Sequence, residues 1–343
     1  MSITFIIPYY KLEKYLLMRC INSIRPLGND FDWEIRIIDD GTPKSNASTW
    51  IKNINDKRIH YTYIEHQGLG GARNRGIEEA TKEYIQMVDS DDYLFIDQLK
   101  NALRIIDKKK PDALTFKYEK VYTISIENTK NTDESKIEYE GNAIDYMANN
   151  DIPPSSCRYI IKKSAIDNLR FTPGLLHEDE EFSTFIFLKI KTLVATNLHV
   201  YAYYQRANSI INSTDTKFIL KRFDNLRYIL KKIVIQKDKF DPVSNTHKAF
   251  KRKCDVLSLC IIINLINSNL DWTHIAKELG KLKQMKYYPL QAGQYGARYS
   301  FIRYATYTPL SVYLVNKVKK IIRNFRNHKI KINNFIQKCS KHQ

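Results

Sequence analysis

Cysteine is scarce in this chain and scattered. Cys20, Cys157, Cys254, Cys260 and Cys339 form an odd set without a C-x-x-C pair. That excludes paired-thiol zinc sites and disulfide frameworks as organising devices, and it fits a reduced, cytosolic compartment. Long apolar runs are also missing. The longest, residues 256–266, is interrupted by Ser258 and Asn264 and falls short of the ~20 residues that span a bilayer, so it reads as a buried helix. The opening Met1-Ser2-Ile3-Thr4-Phe5-Ile6-Ile7-Pro8 has no basic stretch ahead of its apolar residues, so no secretory signal is expected. Three signature motifs are absent too. Gly68-Leu69-Gly70-Gly71, with Gly76 five positions on, is not the dinucleotide spacing G-x-G-x-x-G. No phosphate loop ends in Gly-Lys-Ser/Thr. His177-Glu178 is followed at position 181 by Glu rather than the second His of a metalloprotease.

Acidic residues are scarce in one region only. Residues 1–215 carry 28 Lys and Arg against 31 Asp and Glu, whereas residues 216–343 carry 27 against 6. The first part is therefore at −3 and the second at +21, which accounts for the whole formal net charge of +18. A basic region of this kind suits a nucleic-acid or anionic-membrane partner. We place a boundary near residue 215.

What is present in the first part is alternation. Apolar, β-branched runs at residues 3–8, 34–38, 58–64, 84–88 and 112–118 read as strands. Helical spacing occupies 12–24, 46–55, 70–81 and 96–108 between them. The expected fold is α/β, a mostly parallel sheet covered by helices, with ligands bound at the carboxyl ends of the strands. Residues 121–126 and 136–139 suggest a hairpin around a polar loop. Helical turns are expected at 143–149 and 164–169, a helix with an acidic start at 177–188, and a strand at 193–204. Beyond 215 the pattern is helical at 218–236, 246–267, 272–285 and 309–327.

Special residues fall at three of these strand ends. Pro8-Tyr9-Tyr10-Lys11 follows the first, Asp39-Asp40-Gly41-Thr42 the second, and Asp89-Ser90-Asp91-Asp92 the strand at 84–88. In extended chain, residues i and i+2 point the same way, so Asp89 and Asp91 converge. Hard divalent cations favour such oxygen ligands and often bridge carboxylates to phosphates. Taken alone, the run also reads as an acidic turn with a helix cap.

Together with Gly68–Gly76, these segments, in this order, resemble glycosyltransferase family 2, inverting enzymes of the Rossmann-like GT-A fold that use nucleotide-diphospho-sugars. The resemblance runs from residue 3 to about residue 215. It implies a nucleotide-sugar half at about 1–118 and an acceptor half at about 119–215. It implies that Pro8, Tyr10, Asp39, Asp40 and Arg73 bind the nucleotide, Asp40 at the position that accepts the uracil N3–H. Asp89 and Asp91 take the "DXD" role: Asp89 on the ribose or the metal, Asp91 on Mn²⁺ or Mg²⁺. Asp92 is left to support them. In Pro173-Gly174-Leu175-Leu176-His177-Glu178-Asp179-Glu180-Glu181, Asp179 matches the general base that deprotonates the acceptor hydroxyl. Arg206 and Ser209, in Tyr203–Ile210, match a stretch that closes over the diphosphate.

The expected activity is metal-dependent inverting transfer from a UDP-sugar to a glycan acceptor, lipid-linked, in bacterial surface polysaccharide synthesis. A dTDP- or GDP-sugar donor is the nearest alternative. A nucleic-acid-binding protein acting through the basic third is the alternative of another class, but that third holds no recognised nucleic-acid motif, so no nucleic acid is expected. Residues 309–323 instead join an apolar stretch to a basic one, which suits peripheral binding to the inner face of the cytoplasmic membrane.

Overall fold

The computed structural model of the protein describes residues 1–129, 136–206, 215–293 and 295–321. Ser209 and the helix expected beyond residue 321 lie outside the described residues. In chain order the first part contains β1 (Ser2–Tyr9), α1 (Lys14–Ile24), β2 (Asp32–Asp40), α2 (Ala47–Lys52), β3 (Ile59–Ile64), α3 (Gly68–Glu79), β4 (Tyr84–Met87), β5 (Tyr93–Leu94) and α4 (Ile96–Lys109). Then come β6 (Ala113–Val121), β7 (Ile137–Asn142), α5 (Ala143–Asn149), β8 (Tyr159–Lys162), α6 (Lys163–Ile166), α7 (Glu178–Phe185) and β9 (Thr192–Tyr204). The strands form one sheet in the order β3-β2-β1-β4-β8-β6-β9-β5, with β7 also paired to β9.

The sheet is parallel through β3-β2-β1-β4, as alternation predicts. β1 is buried from Ile3 to Tyr9, which explains why its sequence is a continuous apolar run rather than an alternating one. α4 shows the covering rule: Leu99, Ala102, Leu103 and Ile106 are buried at helical spacing, Asp97 lies in its first turn, and Lys108 and Lys109 lie in its last, matching the helix dipole at both ends. Beyond β4 the sheet turns mixed. β8 runs antiparallel to both β4 and β6, and β9 runs parallel to β6.

The hairpin expected from 121–126 and 136–139 does not form. β6 ends at Val121, and β7 pairs antiparallel with β9 instead. Three backbone groups of residues 122–127 are met by side chains from other elements. Arg19 Nη1 donates to the carbonyls of Thr123 and Ile124 at 3.2 and 3.0 Å, and the Glu127 N–H donates to the Tyr93 hydroxyl at 3.1 Å.

The chain divides into two compact units, residues 1–212 with 240–249, and residues 213–239 with 250–343. The second contains α8 (Thr216–Lys237), most of α9 (Asn245–Asn267), α10 (Trp272–Gln284), α11 (Ala297–Ala305) and α12 (309–321). Asn245, at the start of α9, belongs with the first unit, where its Nδ2 donates to Asp145 Oδ1 at 2.7 Å. α8 buries Ile219, Phe223, Leu226, Leu230 and Ile233 on one face, and Asp215 caps its start by accepting from the Phe218 N–H at 2.8 Å. Among the described residues no helix is long and apolar enough to cross a membrane.

Candidate active site

Parallel pairing sets the strand ends side by side. Tyr9 lies beside Asp39 and Asp40 beside Ile64, while the Val88 N–H donates to the Ile6 carbonyl at 2.9 Å. Pro8, Tyr10, Asp39, Asp40 and Asp89 therefore share the carboxyl edge of the sheet.

Asp39 is fully buried. It accepts from the Thr42 N–H at 2.9 Å and from the Tyr61 hydroxyl at 2.7 Å. Burial, then this bond to Asp39, raises the Tyr61 phenol above its ordinary range. Asp39 thus shapes the turn after β2. Gly41 completes that turn at φ +76°, where a Cβ would stand 2.8 Å from the His66 nitrogen. Asp40 accepts the Gln67 N–H at 2.7 Å and pairs with His66 Nδ1 at 2.8 Å. The His66 ring stacks on Tyr10 at 4.6 Å between centroids. Tyr10, exposed at the rim, and His66 make an aromatic platform beside Asp40.

The acidic run after β4 separates into three roles. Asp92 is buried and anchors β9: it accepts from the Tyr201 hydroxyl and the Tyr204 N–H, both at 2.7 Å. Burial, followed by repulsion from Asp91 and Asp89, holds its carboxyl well above the usual range. Asp91 pairs with Arg206 Nε at 2.7 Å, and burial together with Asp89 raises its carboxyl as well. Asp89 Oδ1 accepts from Arg73 Nη2 at 2.9 Å.

Arg73 joins the two acidic motifs. Only 1% exposed, it donates through Nη1 to Glu178 Oε1 at 2.8 Å and to Asp179 Oδ1 at 2.6 Å, while Nη2 holds Asp89. The resemblance turned Arg73 toward the nucleotide. Its burial and its three carboxylates make it a tie between the end of β4 and the start of α7. A planar fork of donors suits this better than an ammonium. α3 carries it close to β1 because position 76 is glycine: a Cβ there would lie 2.2 Å from Ile6 Cγ2. Asn74 fixes the other side, exchanging two 2.8 Å bonds with the backbone of Phe171.

Asp179 also accepts from the Ser156 hydroxyl at 2.7 Å. Burial raises its carboxyl above the ordinary range, with Arg73 opposing and Asp89 adding to the rise. Burial pushes Glu178 up to about 7, again against the pull of Arg73. Three of these contributors carried no signal in the sequence: His66, Ser156 and Arg19. Arg19 Nη2 donates to the Asp91 carbonyl at 2.5 Å, and its guanidinium lies 4.4 Å from the Tyr204 ring centroid.

Among the described residues, no group of three or more His, Cys, Asp or Glu is arranged as a metal cage. Asp89 and Asp91 offer only two carboxylates. That set fits a hard cation that takes its remaining ligands from water and a diphosphate.

A GT-A-type domain is defined by this sheet, with its acidic turn after β4 and its carboxylate helix start at α7. Residues 4–169, just under half of the chain, match the family model "Glycosyl transferase family 2", and this part of the chain is similar to that family. Among curated proteins it is similar to "Glycosyltransferase GlyA" of Streptococcus pneumoniae, at 28% identity over 233 residues, 61% of this chain and 31% of GlyA. The chain thus spans under a third of that relative's length. Among solved structures it is similar to residues 1–349 of Staphylococcus aureus TarS in complex with UDP-GlcNAc, with a TM-score of 0.58, 17% identity, and coverage of 93% of this chain and 92% of the other. A mannosyltransferase of Pyrobaculum calidifontis, solved with GDP-Man and Mn²⁺, gives a TM-score of 0.54 at 14% identity, covering 93% and 86%.

Proposed function

We propose that the protein transfers a sugar, with inversion, from a nucleotide-diphospho-sugar to a glycan acceptor, and that UDP is the leaving nucleotide. The observation that carries this reading is the meeting of Asp89 and Asp179 on one buried guanidinium, at the sheet edge that also holds Asp40 and Tyr10. Tyr10 and His66 stack on the base, and Asp40 stands beside them. Asp89 and Asp91 hold the diphosphate side, where Mn²⁺ or Mg²⁺ would supply charge neutralisation for the departing nucleotide. Arg206 then leaves Asp91 for the phosphate oxygens. Asp179 takes the proton from the acceptor hydroxyl as that oxygen attacks the anomeric carbon. Its raised carboxyl makes it a stronger base than an exposed aspartate. Arg73 and Ser156 hold its orientation.

The test is release of UDP from UDP-sugars in the presence of Mn²⁺ and candidate glycans. Turnover should fall by at least about 10²-fold in Asp91→Ala, and the reading fails if that variant matches wild type.

The second unit supports membrane attachment for the acceptor's sake. On α12, Val312 and Asn316 are buried, and Asn316 Nδ2 donates to the carbonyls of Ile266 and Ser268 at 2.8 and 3.0 Å. Leu310, Leu314, Val318 and Ile321, on the other face, are each more than half exposed. An apolar stripe flanked by Lys317, Lys319 and Lys320 is the pattern of an interfacial helix on an anionic surface.

A further inference from the structure

A cavity of about 250 Å³ lies in the acceptor half, apart from the carboxylates already described. Its walls come from Thr115, Phe116 and Lys117 of β6, Thr196 of β9, Tyr146 of α5, and the turn leading to Arg158. Gln86 of β4 pairs with Ile160 of β8. Asp89, three residues after Gln86, and Arg158, two before Ile160, therefore lie toward the same edge of the sheet. The short turn Ser156–Arg158 serves both places: Ser156 bonds Asp179, and Arg158 lines the cavity.

Arg158 differs from Arg73 in its partners. Its Nε and Nη2 both donate to the Phe116 carbonyl, at 3.2 and 3.1 Å, and its guanidinium lies 5.1 Å from the Tyr118 ring centroid. Phe116 sits where the pairing of β6 with β9 shifts register, so the arginine satisfies a carbonyl that the irregular ladder leaves over. Among the described residues Arg158 forms no ion pair with a carboxylate. Lys117, also on the wall, is paired with Glu138. Arg158 is thus a largely desolvated cation that touches no carboxylate directly, although Glu138 and Asp151 line the same cavity, and burial lowers its pKa. Tyr146 complements it. Tyr146 lines the cavity together with Arg158, Glu138 and Asp151, and it brings the one phenol among these lining residues. Ile152, Pro153 and Pro154 add an apolar wall. Their turn is pinned: the Tyr159 hydroxyl donates to the Pro153 carbonyl at 2.8 Å and the Ser183 hydroxyl to the Pro154 carbonyl at 3.3 Å.

A charged fork, a hydroxyl and an apolar wall are the means to hold a sugar ring that bears an anionic oxygen group. We infer that this cavity is an acceptor subsite for a glycan residue carrying a phosphate ester or a carboxylate, with Arg158 and Tyr146 as its anion ligands. The acceptor assignment rests on the transferase reading above.

The test uses the full chain saturated with UDP and Mn²⁺, which occupies the donor side. Glucose 6-phosphate, glucuronic acid and glucose are titrated against it by ligand-observed NMR. The two anionic sugars should bind saturably and glucose should not, and the better of the two names the anion. Arg158→Gln should weaken that binding about tenfold, as expected for a lost charge-assisted bond. Tyr146→Phe leaves the Phe116 carbonyl satisfied and should weaken it about threefold. UDP affinity should stay unchanged in both variants. Equal binding of the anionic sugars to wild type and both variants, or equal binding of glucose, overturns the subsite. Wild-type chain that binds no UDP under any condition overturns the transferase reading instead.

Discussion

Arg73 holds together groups that would otherwise repel one another. Asp89, Glu178 and Asp179 come from chain positions up to 90 apart, and each places an oxygen within 2.9 Å of its guanidinium. Removing the charge leaves three acidic groups in a buried site with no counter-ion. Arg73→Met should therefore cost about 3–5 kcal/mol of stability, read from urea unfolding, and a loss under about 1 kcal/mol would deny it the tying role. Glu178 adds a pH dependence with a definite sign. Its carboxyl is raised to about 7 in the folded chain from an ordinary 4.5, so the folded state binds the proton more tightly. The contribution is fully present below the unfolded value and lost as pH rises through about 7. Glu178→Gln removes that loss. The melting temperature of the variant, relative to wild type, should be higher at pH 8 than at pH 5. A constant difference would contradict the raised carboxyl.

At the scale of elements, α3 is positioned by what its residues lack as much as by what they carry. Gly76→Ala would drive a methyl into Ile6 Cγ2, 2.2 Å away, lifting the helix and Arg73 with it. A cost of about 1–3 kcal/mol is expected for such overpacking. It should shrink in an Ile6→Ala background, where the clashing branch is gone, a coupling that a double-mutant cycle measures. The strands and helices of the parallel half were legible because local periodicity and tertiary role agree there: β1 is mostly apolar, and every residue from Ile3 to Tyr9 is buried. The misread hairpin at 121–139 shows where legibility ends. Residues 122–127 look like strand, yet the Thr123 and Ile124 carbonyls are met by Arg19 and the Glu127 N–H by Tyr93, from distant elements. β8, only four residues long and antiparallel, gives too short a pattern to announce itself.

For the whole molecule, the sequence divides by charge and the structure by compactness near the same place, with residues 240–249 returning to the first unit. The basic part presents an apolar stripe on α12, and the membrane reading has a direct check. Leu314→Asp with Val318→Asp should reduce sedimentation of the chain with phosphatidylglycerol vesicles at least severalfold, leaving the fold intact because both side chains are more than half exposed. Unchanged sedimentation would remove α12 as the attachment element. The candidate site was legible as an ordered set of strand-end and helix-start residues. Its internal wiring was not: a sequence shows that Arg73, Asp89 and Asp179 are present, whereas their meeting depends on three elements closing on one point. Asp179, held by Arg73 and Ser156, is the proposed base of an inverting transfer. The most direct measurement is steady-state transfer and donor affinity of Asp179→Asn on the donor and acceptor that wild type turns over. Nucleotide-sugar affinity should stay within about twofold of wild type while turnover falls about 10²–10⁴-fold; near-normal turnover would take Asp179 out of the reaction.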